Sequence, residues 1–135
     1  MIVVDASALV AMMQREPEGE QLAAVLETFG RSGRYASTVS VWEAACAVAR
    51  LRGCDRSLGF ARVSEMLELA TIQPVAPDMT ITALAAEAAQ RYGIGPGYPS
   101  ILNLGDCFSY ATARHLGAAL LFKGNDFSRT DIAAA

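Results

Sequence analysis

Four short runs constrain what this chain can fold into. Ile2 to Val4, Arg34 to Ser37, Thr71 to Val75 and Ala118 to Phe122 are each too brief for an amphipathic helix and read as strands. Long stretches of helical periodicity separate them. Strands joined by helices pair in parallel through crossovers, and a parallel sheet must be covered on both faces. The expected class is therefore α/β, a three-layer sandwich with a short, mostly parallel sheet between helical layers. Pro74 lies inside the third run and lacks a ladder donor, which places that strand at a sheet edge.

Capping and breaker residues predict the helices. The first follows Asp5-Ala-Ser-Ala, with Asp5 or Ser7 as its N-cap. The second is opened by Pro17 and Glu18 and closed by Gly30. The third is capped by Thr38 or Ser40 and runs to Gly53. A fourth spans Ser57 to Leu69, and a fifth, capped by Asp78, spans Met79 to Tyr92. After a Gly/Pro-rich loop, 93–103, Gly105 and Asp106 open a sixth that ends near Gly117. The 135 residues show no repeat or linker and are expected to form one domain, 1–135.

Composition excludes several classes. The chain is 53% hydrophobic and only 19% charged, which suits a packed globule. The opening MIVVD lacks a basic n-region, and no apolar stretch reaches transmembrane length, so a cytoplasmic protein without membrane contact is expected. Three cysteines (Cys46, Cys54, Cys107) and one histidine (His115) suggest neither a disulfide framework nor a thiolate zinc site. A net charge of −3 argues against broad electrostatic binding to nucleic acid, and no direct, specific DNA binding is expected. A polyanionic substrate would need local arginines or a metal ion.

The acids supply a focus for function. Asp5 ends the first strand, Asp126 lies just past the fourth, Asp106 begins the helix leading into the fourth, and Glu43 lies one turn into the helix after the second. In open α/β sheets ligands bind beyond the carboxyl ends of the strands, where these four would converge. Singly, Asp5 and Asp106 are ordinary helix caps and Asp126 an ordinary turn residue. Glu43 is harder to assign to structure, because Val41, Trp42, Ala44, Ala45 and Cys46 surround it. Two carboxylates about 4 Å apart repel by roughly 4 kcal/mol at an effective dielectric near 20, so a cluster of four calls for a hard divalent cation. Such a site suits phosphoryl transfer or phosphodiester hydrolysis.

The ordered series Ile2-Val-Val-Asp5-Ala-Ser-Ala, Val39-Ser-Val-Trp-Glu43, Leu104-Gly-Asp106-Cys-Phe-Ser-Tyr-Ala111 and Leu121-Phe-Lys-Gly-Asn-Asp126-Phe resembles the PIN-domain ribonucleases. More narrowly, it is similar to the VapC-type toxins of prokaryotic toxin–antitoxin pairs, from Asp5 to about Ile132. The resemblance implies an endoribonuclease that uses metal-activated water. Asp5 and Asp106 would be the principal ligands of Mg²⁺, with Mn²⁺ as the alternative, and Glu43 and Asp126 would complete the catalytic set. Ser7 would orient Asp5, while Lys123 and Asn125 are candidates to support the site or touch phosphate. Asp131, in the matching tail, is given no ligand role. The resemblance also implies a VapB-like antitoxin that places a basic side chain in the acidic cleft, and a homodimer. The apolar positions of the Ser57 to Leu69 helix serve such a dimer surface or the core equally well.

The loop Gly95-Pro-Gly-Tyr-Pro-Ser100 departs from close relatives in lacking positive charge. Tyr98 there either stacks on an unpaired base or packs on the core. Arg15, Arg34 and Arg129 are the candidates for RNA phosphate. The alternative reading is a catalytically weak or inactive PIN fold used only for binding.

Overall fold

Ile2 and Val4 point to one face of a sheet and Val3 to the other, and that alternation organises the molecule. The computed structural model describes residues 1–95 and 101–135. The strands are β1 (Ile2–Val4), β2 (Arg34–Ser37), β3 (Gln73–Val75) and β4 (Ala119–Leu121). They form one sheet in the order β3-β2-β1-β4, and every pairing is parallel, with Ile2 beside Arg34, Val4 beside Leu121 and Ala36 beside Pro74. Pro74 is thus on an edge strand, as its missing N–H requires.

The helices are α1 (Ala6–Met13), α2 (Gly19–Glu27), α3 (Thr38–Arg52), α4 (Arg56–Ala70), α5 (Met79–Tyr92) and α6 (Leu104–Leu116). Ile2 and Val4 are buried in a cluster with Leu9, Leu26, Val48 and Val63 from α1 to α4. Val3 joins Leu120, Ile81, Tyr110 and Ala111 on the side of α5 and α6. These two clusters make the three layers expected of the sequence. Among the described residues, no helix is long and apolar enough to cross a membrane.

Local chemistry moves several boundaries. Asp5 caps α1 and Asp78 caps α5 as expected, but Ser37, not Thr38 or Ser40, caps α3 by accepting from the Val39 N–H at 3.2 Å. Asp55 caps α4 by accepting from the Leu58 N–H, so that helix starts one residue before Ser57. Asn103 caps α6, and Asp106 answers it by accepting from the Asn103 N–H, forming a reciprocal capping box. Thr71 ends α4 in the left-handed region, φ 56°, so β3 begins at Gln73 and not at Thr71. A single 3-10 turn, Arg31–Gly33, precedes β2.

Arg34 is the largest correction. Its side chain is not available to RNA: the residue is 1% exposed, and its guanidinium donates to the Phe29 and Ala70 carbonyls and to Glu27. Two helix ends are tied to β2 through it.

Candidate active site

Because all four strands run the same way, their carboxyl ends share one edge. The chain order reverses between β1 and β4, since β2 and β3 lie on one side of β1 and β4 on the other. That switch point opens the crevice in which α/β sheets bind ligands. Asp5 continues β1, with its N–H donated to the Leu121 carbonyl at 2.9 Å. Asp126 follows β4, Glu43 comes down from α3, and Asp106 sits in the first turn of α6. These four acids line one cavity of about 390 Å³, together with Ser7, Glu16, Asn103 and Lys123. The four acids expected to converge do so.

Each is held differently. Asp5 is 3% exposed. Its Oδ2 accepts from the Ser7 N–H at 2.9 Å and the Ser7 hydroxyl at 2.6 Å, and its Oδ1 accepts from the Ser109 hydroxyl at 2.5 Å. Ser109 in turn lies 2.8 Å from the Ser40 hydroxyl. Ser7 also accepts from the Lys123 N–H at 3.0 Å, so it ties Asp5 to the segment after β4. The Glu43 carboxylate lies over Gly105, where a Cβ would fall 1.9 Å from its Oε2. A side chain at 105 would push that carboxylate away from the start of α6.

Burial, followed by the charges of Asp5 and Asp106, pushes the Glu43 carboxyl up from the usual range to about 7. Asp106 is pushed up to about 6, chiefly by burial, against the opposing hydrogen bond from the Asn103 N–H and with the charges of Asp5 and Asp126 adding to the rise. Lys123, the one lysine in the sequence, is bound to Glu16 and reaches Glu18 at 3.3 Å. Its ammonium is held above its ordinary range by the Glu16 hydrogen bond first. The cavity therefore has a cation at its rim, already engaged by two rim acids.

Other expected residues lie elsewhere. The Asn125 side chain is exposed and not among the cavity's walls, and neither Arg15 nor Arg129 lines it. Asp131 is occupied by the Tyr110 hydroxyl, Arg91 and Arg114, in keeping with no ligand role. Tyr98 lies outside the described residues. Ser109 and Glu16 were not picked out from the sequence, and Ser40 and Gly105 were read there only as a cap and a helix start. Among the described residues, no three His, Cys, Asp or Glu side chains are gathered closely enough to form a ready-made metal site. The donor chemistry nevertheless fits a hard cation: the acids are all oxygen ligands, two of them carry pKa values raised by burial first and by their neighbours' charges second, and Mg²⁺ completes its shell with water.

The PIN domain profile matches residues 2–133. This chain belongs to the PIN-domain family. Within that family it is 38% identical over 143 residues to a VapC ribonuclease of Rhizobium meliloti, covering 98% of this chain and 99% of the relative. It is also 38% identical over 134 residues to ribonuclease VapC42 of Mycobacterium tuberculosis, covering 99% and 98%. Among solved structures, M. tuberculosis VapC20, described as a sarcin-ricin loop cleaving toxin, superposes with a TM-score of 0.76 at 15% identity over 100% of this chain and 98% of that one. A toxin–antitoxin complex from Klebsiella pneumoniae gives 0.72 at 17% identity, over 100% and 97%. At those identities the two structures establish a shared PIN fold.

For this PIN domain the raised acids set a pH dependence in the absence of divalent cation. Between the unfolded value of 4.5 and about 7, folded Glu43 retains a proton that the unfolded chain has lost, so stability falls as pH rises through that window. Glu43 is partly solvated, and the screened effect is on the order of 1–2 kcal/mol. In EDTA, Glu43→Gln is expected to melt higher than the wild type at pH 8, to match it near pH 4.5, and to show a shallower decline between. Parallel wild-type and variant melting curves across that range would refute the assignment.

Proposed function

We propose that the chain is a metal-dependent endoribonuclease, the toxin of a VapBC-type pair, cutting RNA phosphodiester bonds with water. The observation that carries this reading is the meeting of Asp5, Glu43, Asp106 and Asp126 in one cavity at the switch point of the sheet. Asp5 and Asp106 would hold Mg²⁺ or Mn²⁺, with Glu43 and Asp126 supporting. When bound, the cation supplies positive charge for the phosphate oxygens and acidifies water. Glu43, pushed to about 7, is suited to accept the attacking water's proton near neutral pH. Ser7 fixes the Asp5 carboxylate plane, and Lys123 stands at the rim where a phosphate would approach.

A wider hollow of about 780 Å³ adjoins the acidic cavity, shares Glu43 and Ala47 with it, and is lined by Trp42, Arg50, Asp55 and Arg56. Trp42 is 65% exposed, and among the described residues neither arginine is ion-paired. An open indole with two cations suits single-stranded RNA better than the Arg15, Arg34 and Arg129 set. The names of the relatives and of the solved toxin–antitoxin complex support an antitoxin partner, and the acidic cavity offers a basic side chain its counter-charge. A homodimer belongs to the same proposal, with exposed Leu58, Phe60 and Leu69 on α4 as one candidate surface.

The test is cleavage of structured RNA by purified protein in Mg²⁺, Mn²⁺ or EDTA. Cutting with either metal and its loss in EDTA is the expected result. Undiminished cutting in EDTA would defeat the metal reading. Cation binding without cleavage of any RNA offered would favour a binding module, against which stands the presence of all four acids.

A further inference from the structure

The buried hydroxyls of Ser40 and Ser109 have a role that the four acids do not explain. Both residues are 0% exposed, one on α3 and the other on α6, where those helices meet. Their neighbours on these helices, Ala44, Ala45, Ala111 and Ala113, are themselves buried, so alanine meets the demand for a small residue here. A hydroxyl in such a place costs free energy unless its hydrogen bonds are made. Here they are made in one direction. An ionised Asp5 can only accept, so Ser109 must donate to Oδ1 at 2.5 Å. Its single hydrogen thus committed, Ser109 must accept from Ser40 at 2.8 Å. The result is a relay, Ser40 to Ser109 to Asp5.

A carboxylate oxygen offers about two lone-pair positions. On Asp5 Oδ2 both are taken, by the Ser7 N–H and the Ser7 hydroxyl. On Oδ1 one is taken by Ser109 and one remains. We propose that Ser109, aligned by Ser40, is a positioning residue: with Ser7 closing Oδ2, it leaves Asp5 a single open lone pair, on Oδ1, and directs it into the cavity. Asp106 is held less tightly, its Oδ2 accepting from the Asn103 N–H alone. Asp5 would then present one oxygen, which would leave a six-coordinate Mg²⁺ room for water and phosphate. Without Ser109, Oδ1 gains a free lone pair and the carboxylate is held on one side only.

This inference rests on the metal-dependent reading, and its test separates the two. Mn²⁺ affinity is measured by calorimetry on the full chain, at a temperature where circular dichroism shows every variant folded, alongside kcat and KM for RNA cleavage. Ser109→Ala is expected to weaken Mn²⁺ binding about 10- to 100-fold, the usual effect of removing a group that orients a ligand, and to lower kcat with little change in KM. Ser40→Ala is expected to lose several-fold. The double variant should be no worse than Ser109→Ala, because Ser40 acts only through Ser109. A purely structural serine pair would lower the melting temperature and leave Mn²⁺ affinity unchanged, and that result overturns the proposal. Additive losses in the double variant overturn the relay. A wild-type chain that binds no Mn²⁺ at all would instead defeat the metal reading beneath it.

Discussion

Asp5→Asn is expected to reduce metal-dependent RNA cleavage by about 10³-fold or more while leaving a folded protein. The loss follows from position. Asp5 is the acid at the switch point, it lines the cavity, and its charge adds to the raised pKa of both Glu43 and Asp106. Asparagine removes that charge and replaces one oxygen by an amide donor. Retention of the fold follows from the cap. The asparagine carbonyl can still accept from the Ser7 N–H, and asparagine ranks with aspartate at N-caps. Opposite it, the Ser109 hydroxyl can rotate to accept from the new amide. The lost hydrogen bond to a charged group, about 1.5–3 kcal/mol, is offset in part by relief of repulsion among the acids. Cleavage assays with a thermal melt check both halves. A variant that unfolds at assay temperature would mean Asp5 serves mainly as the cap of α1.

Arg34→Ala is expected to cost about 3–5 kcal/mol, seen as a fall in melting temperature of roughly 10–20 °C. The side chain is the largest of those fully buried. Its removal opens a cavity and strips donors from the Phe29 and Ala70 carbonyls, which follow α2 and end α4. Its acidic partner is a weaker contributor: the Glu27 side chain is 61% exposed, and water screens its charge although the guanidinium it meets is buried. Glu27→Gln should therefore melt within a few degrees of the wild type. If the two variants lost stability equally, the ion pair and not the carbonyl contacts would be the main contribution of Arg34.

These two residues also show what the sequence could and could not reveal. The place of Asp5 was legible because it is local: an acid at the end of a β-branched run, two residues from a serine, reads as the cap of the next helix, and only its convergence with the other acids adds a further use. The strands, the edge position of Pro74 and the convergence of the four acids follow from period and topology in the same way. Arg34 was opaque, because nothing near it in sequence announces the Ala70 carbonyl 36 residues away. Ser40, Ser109 and Gly105 were hidden for the same reason. A serine or glycine in an alanine-rich helix reads as a small filler until its partner on another helix is known. Boundary errors came from competing caps. Ser37, Thr38 and Ser40 all offer a hydroxyl, and the backbone of β2 gives the cap to Ser37 while Ser40 faces Ser109.

The pairing of the first strand with the last has a consequence for biosynthesis. Ser109 and Asp5 are 104 residues apart, and β4, which brings Lys123 and Asp126 to the site, sits directly beside β1. Long-range parallel pairings form late, since loop closure must precede any gain from contact. A nascent chain still attached to the ribosome can build β1 to β3 and their helices, yet it holds only Asp5 and Glu43 of the acidic set. The four acids are therefore gathered into one cavity only when α6 and β4 close against β1.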